Sequence, residues 1–127
     1  MLHGVVVGID RYKDRKINSL QSARKDAEAV SRLFQLGLGA AQVNIRTLFD
    51  EEATRKSILK TVGEFLPRAQ KEDDLVIVYF AGHGSPEQEN PPDRISRYLV
   101  PYDAEYEYLF STGIGMETDI DSLLERQ

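Results

Sequence analysis

None of the 127 residues is a cysteine. Disulfides, thiolate metal sites and a cysteine nucleophile on this chain are therefore excluded. Long apolar runs are missing too, and no stretch approaches the roughly 18 residues that a membrane span needs. Met1-Leu2-His3-Gly4 lacks the basic start of a signal peptide and leads straight into a strand-like run. The expectation is a cytoplasmic protein with no membrane partner. Nor is positive charge in excess. Lys and Arg number 16 against 21 Asp and Glu, a net charge of −5 with no dense basic stripe, so nucleic acid is not an expected partner. Finally, the turn after the first strand, Asp10-Arg11-Tyr12-Lys13, has no glycine-rich phosphate loop, which argues against a nucleotide-binding domain.

The composition is that of one globular domain spanning residues 1–127, 41% hydrophobic and 29% charged. A chain this long buries roughly two thirds of its unfolded surface. Charge is unevenly spread: residues 1–70 hold 12 basic and 8 acidic side chains, and residues 71–127 hold 4 and 13. Such an acidic region is either solvated surface or a preference for a basic substrate or partner.

Val5-Val6-Val7-Gly8-Ile9 is a continuous apolar run of the buried, parallel-sheet kind, ending at Asp10. Leu20, Ala23, Ala27, Val30 and Phe34 follow at helical spacing, and Gly37 and Gly39 are the expected stop. A short strand is expected from Val43 to Leu48. Thr54 is placed to cap a second helix with the apolar face Ile58, Leu59, Val62, Phe65 and Leu66, which Pro67 bends or ends. Leu75 to Phe80 is the strongest strand, apolar on both faces and so expected at the centre of the sheet. A loop is expected over 85–96, a short extended piece over Tyr98 to Val100, and a last helix from Thr118 or Asp119 carrying Ile120, Leu123 and Leu124. This β-α-β-α-β order predicts a three-layer α/β domain with a mainly parallel sheet. Ligands in such sheets sit at the carboxyl ends of the strands, which puts Asp10, its loop and Gly82-His83-Gly84 on one functional edge.

A histidine between two glycines at the end of a strand is the segment richest in chemistry. Glycines let the backbone turn sharply and approach a ligand. An imidazole can give and take a proton in catalysis, and the Gly84 amide beside it can stabilise an oxyanion. Taken alone, the same tripeptide also describes a histidine that merely closes a tight turn.

The order of motifs decides between the two. Val5-Val6-Val7-Gly8-Ile9-Asp10-x-Tyr12, Leu20-x5-Asp26-Ala27, Asp74 to Gly84 with its Tyr-Phe-Ala-Gly-His-Gly core, and Tyr98-Leu99-Val100-Pro101-x-Asp103 occur in sequence. Together they resemble the caspase-like cysteine peptidases, in the bacterial metacaspase or orthocaspase branch, from about residue 4 to 125. The resemblance implies a caspase-like αβα sandwich, incomplete in this chain, and makes His83 the catalytic histidine. Gly84 becomes an oxyanion-hole residue. Asp26 lines an acidic pocket for Arg or Lys before the scissile bond, its alternative being a solvated helix residue. Asp103 shapes its loop, and His3 has no role.

The family's nucleophile is a cysteine at the end of the next strand, beyond a helix like 118–126, and this chain stops at Gln127. Ser85 has no supporting pattern as a substitute. The expected partners are thus a cysteine-bearing remainder or small subunit and a peptide or protein substrate. A long apolar strand edge also calls for a pairing partner. No cofactor is expected; calcium activation is left open, and the acidic clusters at 72–74 and 103–107 are either a divalent-cation site or, as the preferred reading, solvated surface. The competing expectation is a catalytically dead, caspase-like interaction module.

Overall fold

The computed structural model describes residues 1–39, 43–65, 74–88 and 95–120. The elements run β1 (Leu2–Gly8), α1 (Ala23–Leu38), β2 (Val43–Phe49), α2 (Arg55–Phe65), β3 (Leu75–Ala81), β4 (Gly84–Gln88), β5 (Ile95–Leu99), α3 (Leu109–Thr112) and β6 (Ile114–Gly115). Strands β1 to β3 form a parallel sheet in the order β2-β1-β3, and β4 to β6 form a second, antiparallel sheet. The result is the expected α/β architecture.

β1 is buried along its whole length because it has a strand on each side and a layer on each face. Val5, Val7 and Ile9 join Ala53, Ile58, Val62, Ile114 and Ile120 in one core cluster. Alternation turns Gly8 and Val6 to the other face, against α1. There the approach is close: a β-carbon on Gly8 would lie 2.7 Å from the Ala27 β-carbon and 3.0 Å from the Arg24 Cα. Helix and strand therefore meet at backbone distance, which only glycine permits at this point.

The chain leaves β1 on one side to make β2, then crosses over β1 to make β3 on the other side. Right-handed crossovers in opposite directions put α1 and α2 on opposite faces. The reversal opens a crevice at the carboxyl ends of β1 and β3, where ligands bind in doubly wound sheets.

Several expectations are corrected. The central strand is β1, and β3 is only partly buried, since none of the described strands pairs with its other edge. Gly37 lies inside α1. Gly39 is the stop, with φ of 81° and its N–H on the Gln35 carbonyl. The expected loop at 85–96 contains β4 and the start of β5, which pair with each other. Near the C-terminal end, Met116–Ile120 is one π-helical turn. Leu66 and Pro67, the acidic residues 72 and 73, and Leu123 and Leu124 lie outside the described residues. Thr54 does cap α2, its hydroxyl accepting the Ser57 N–H at 3.2 Å. Asp103 adds a second cap from a distance, its carboxylate accepting the Arg55 N–H at 2.8 Å.

Asp50 ties these pieces together. It is 3% exposed and adopts a left-handed φ of 48°. One carboxylate oxygen accepts the N–H groups of Asp10 and Arg11 at 2.9 and 3.2 Å, and the other faces Arg24 of α1 at 3.2 Å. Asp10 in turn accepts the Ala23 N–H at 2.8 Å, capping α1. Burial alone would raise the Asp50 pKa, but these donors outweigh it and hold the carboxyl below its ordinary value. A carboxyl depressed in this way stabilises the fold above the ordinary carboxylate range, and that contribution is lost as pH falls through its folded pKa. Asn tolerates the left-handed conformation, so Asp50→Asn isolates the charge. The variant is expected to lose about 1–3 kcal/mol at neutral pH, with the gap to the parent narrowing on acidification. Denaturant titrations at several pH values check both.

Candidate active site

The crevice is lined by the loop after β1 and the turn after β3. Ile9 donates its N–H to the Ala81 carbonyl at 2.9 Å, so the two strand ends leave the sheet together. The 10–18 loop is then shaped by its own polar groups. Asp14 accepts the Lys16 N–H at 2.9 Å through one oxygen and the Tyr106 N–H at 2.8 Å through the other. These two donors hold its carboxyl below the ordinary value. Lys13 donates its N–H to the Tyr102 carbonyl at 3.0 Å, which anchors the loop to the segment after β5.

That loop delivers two contacts to His83. The Tyr12 hydroxyl accepts the His83 N–H at 2.8 Å, and the two rings lie 5.3 Å apart at 44°. The imidazole Nε2 lies 2.8 Å from the Asn18 carbonyl oxygen. A carbonyl can only accept, so Nε2 carries the proton and the lone pair of the neutral ring is on Nδ1. A third restraint comes from the Val100 N–H, which donates to the His83 carbonyl at 3.0 Å. The histidine is held at backbone and ring, with one nitrogen assigned as a proton acceptor.

Gly82 makes the Tyr12 contact possible. A β-carbon there would lie 2.9 Å from the Tyr12 hydroxyl and 3.1 Å from the Phe80 ring. Burial pushes the Tyr12 pKa up to about 12; the acidic neighbours Asp10 and Asp50 add to the rise, against the His83 N–H. The hydroxyl therefore stays protonated through the physiological range.

Gly84 follows His83 at the head of β4, opposite Leu99. Asp26 is exposed on the first turn of α1 and is not among the described residues that line the hollow beside His83. His3 is buried at the other end of β1, its Nε2 3.6 Å from Asp74 and its Nδ1 3.4 Å from the Asn44 amide. Of the cluster at 103–107, Asp103 caps α2 and Glu107 pairs with Lys16. Among the described residues, no group of three or more His, Asp or Glu is placed to hold a metal.

Tyr12, Asn18 and Asp50 have no assigned role in the sequence reading. Tyr12 closes the motif that begins at Val5. Asn18 acts through its main chain and leaves no side-chain signature. Asp50 is one of three consecutive acids, Asp50-Glu51-Glu52.

Fold and site together define an α/β domain with an oriented, proton-accepting histidine at the switch point of a parallel sheet. The family model of the caspase domain, Peptidase_C14, matches residues 2–123. The chain belongs to this family of cysteine peptidases. Among curated proteins none matches the sequence. Among solved structures, the fold is similar to protein GSU0716 from Geobacter sulfurreducens, with a TM-score of 0.70 at 17% identity. That similarity covers 97% of this chain but 44% of the other, so the chain spans less than half its length.

Tyr12→Phe keeps the ring and removes the acceptor of the His83 N–H. It is expected to cost about 1 kcal/mol and to raise the share of the Nδ1-protonated tautomer above that of the parent. Imidazole ¹⁵N shifts measured on the two proteins report the tautomer directly.

Proposed function

We propose that this chain is the histidine-bearing part of a cytoplasmic caspase-like cysteine endopeptidase of the bacterial metacaspase or orthocaspase branch, cutting after Arg or Lys. The observation that carries the reading is His83, held at the end of β3 with its Nε2 proton on the Asn18 carbonyl. Membership of the caspase-domain family supplies the reaction class.

With no cysteine among 127 residues, the nucleophile comes from another segment or subunit. The other edge of β3, which none of the described strands occupies, is where a cysteine-bearing strand would add to the sheet. His83 Nδ1 takes the thiol proton, and the thiolate attacks the scissile carbonyl to form a C–S bond. The Gly84 N–H helps to bind the oxyanion. The C–N bond then breaks as His83 returns the proton to the leaving amine, and water, deprotonated by the same nitrogen, hydrolyses the thioester. Asp26 would pair with the basic side chain on the acyl side, in keeping with its exposure on α1.

The absence of cysteine equally suits a second reading, a caspase-like interaction module that regulates or scaffolds a partner without cleaving it. The protein translated to the end of its own coding sequence separates the two. The peptidase reading expects hydrolysis after Arg or Lys that thiol alkylation abolishes and that His83→Ala lowers by roughly 10²- to 10⁴-fold. Asp26→Asn is expected to lower kcat/KM on such peptides by about 10- to 100-fold. Residues 1–127 alone are expected to hydrolyse nothing. Undiminished activity in His83→Ala would overturn the site, and a full-length protein without a thiol-dependent activity would leave the interaction module.

A further inference from the structure

A hollow of about 200 Å³ opens directly beside His83, between the 16–18 stretch of the first loop and the segment after β5. Its floor is apolar: Ile17 and Val100 are 9% and 3% exposed, and Leu109 packs against the same cluster. None of the described residues that line it carries a carboxylate. Lys16 is at the rim, its ammonium paired with Glu107. The size suits one side chain, since an apolar cavity of roughly 150 Å³ holds a benzene-sized guest, whereas drug-sized ligands need about 300 Å³ or more.

We propose that this hollow receives the side chain of the residue on the amine side of the scissile bond and selects an aliphatic or aromatic one there. The proposal rests on the peptidase reading above. His83 must deliver a proton to the leaving nitrogen, which brings that nitrogen within about 3 Å of the ring. The side chain of the residue bearing it starts two bonds further on, in space that His83 itself borders. A basic side chain from the acyl side is excluded. Its charge would lie unpaired over Ile17, Val100 and Leu109, next to a lysine whose counter-ion is already taken. An acidic side chain would have to displace Glu107 from Lys16 at the exposed rim and would leave the floor unfilled. An apolar group matches the floor and disturbs neither.

The test uses the full-length protein and peptides with Arg fixed on the acyl side while the next residue varies among Leu, Phe, Gly, Asp and Lys. Leu and Phe are expected to exceed Gly and Asp in kcat/KM by roughly 10- to 200-fold. Leu109→Glu is expected to erase that advantage and raise the rate on the peptide with Lys, and the profile of the parent protein stands even if this variant does not fold. Cleavage with a flat amine-side profile overturns this proposal and leaves the peptidase reading intact. In a second series with Leu fixed on the amine side and Arg, Leu or Phe on the acyl side, an apolar acyl-side preference that Leu109→Glu removes also overturns it, by assigning the hollow to that side. Failure to cleave any of the peptides, or Arg peptides of other sequence, overturns the peptidase reading itself and this proposal with it.

Discussion

A single buried carboxylate organises the working end of this domain. Asp50 sits where β2 ends, in a backbone conformation that few residues other than glycine, asparagine and aspartate adopt. From there it receives the two N–H groups at which the chain leaves β1, and it faces the arginine of the helix that follows. Asp10, held by its own backbone to Asp50, uses its side chain to start α1. Tyr12, two residues on, reaches His83. Three elements that are remote in sequence are fixed around one charge, and the imidazole is the last member of that chain of contacts. The Asp50 carboxyl, held below its ordinary value, is the electrostatic record of the same arrangement.

Topology explains why the arrangement forms at this place. With β1 between β2 and β3, the strand order reverses at β1, and the loops at its carboxyl end part to opposite faces. The loop after β1 folds across the gap so that the Asn18 carbonyl, not a third acidic side chain, orients the imidazole. A main-chain acceptor adds no net charge beside the ring. The histidine gains a defined tautomer from that one contact.

Much of this fold was legible in the residues. The unbroken apolar run of β1, the helical spacing of α1 and α2 and the Thr54 cap each lie within one element, so local pattern sufficed. The place of β3 did not, because centrality depends on how many strands pair with it. Gly37 misled because a helix already docked through Ala27 and Gly8 absorbs the roughly 1 kcal/mol of an internal glycine. Segment 84–88, Gly-Ser-Pro-Glu-Gln, has no alternation to announce a strand and is paired through β5. At the site, His83 and the edge it occupies could be read from Gly-His-Gly and from the sheet order. The groups that aim it could not, since a carbonyl has no letter of its own and Asp50 differs from its acidic neighbours only by where the chain folds.

The contact between Gly8 and Ala27 has a mechanical meaning. Where a helix rests on a strand with nothing longer than the Ala27 methyl between them, the layer spacing is fixed by hard surfaces and has little soft material to compress. The same helix begins at the Asp10 cap, a short step from Tyr12. The helix that sets the thickness in the middle of the domain thus also anchors, through Asp10, the loop that holds the imidazole at its edge. A bulkier residue at either position would act as a shim, tilting the edge that carries His83 without touching it.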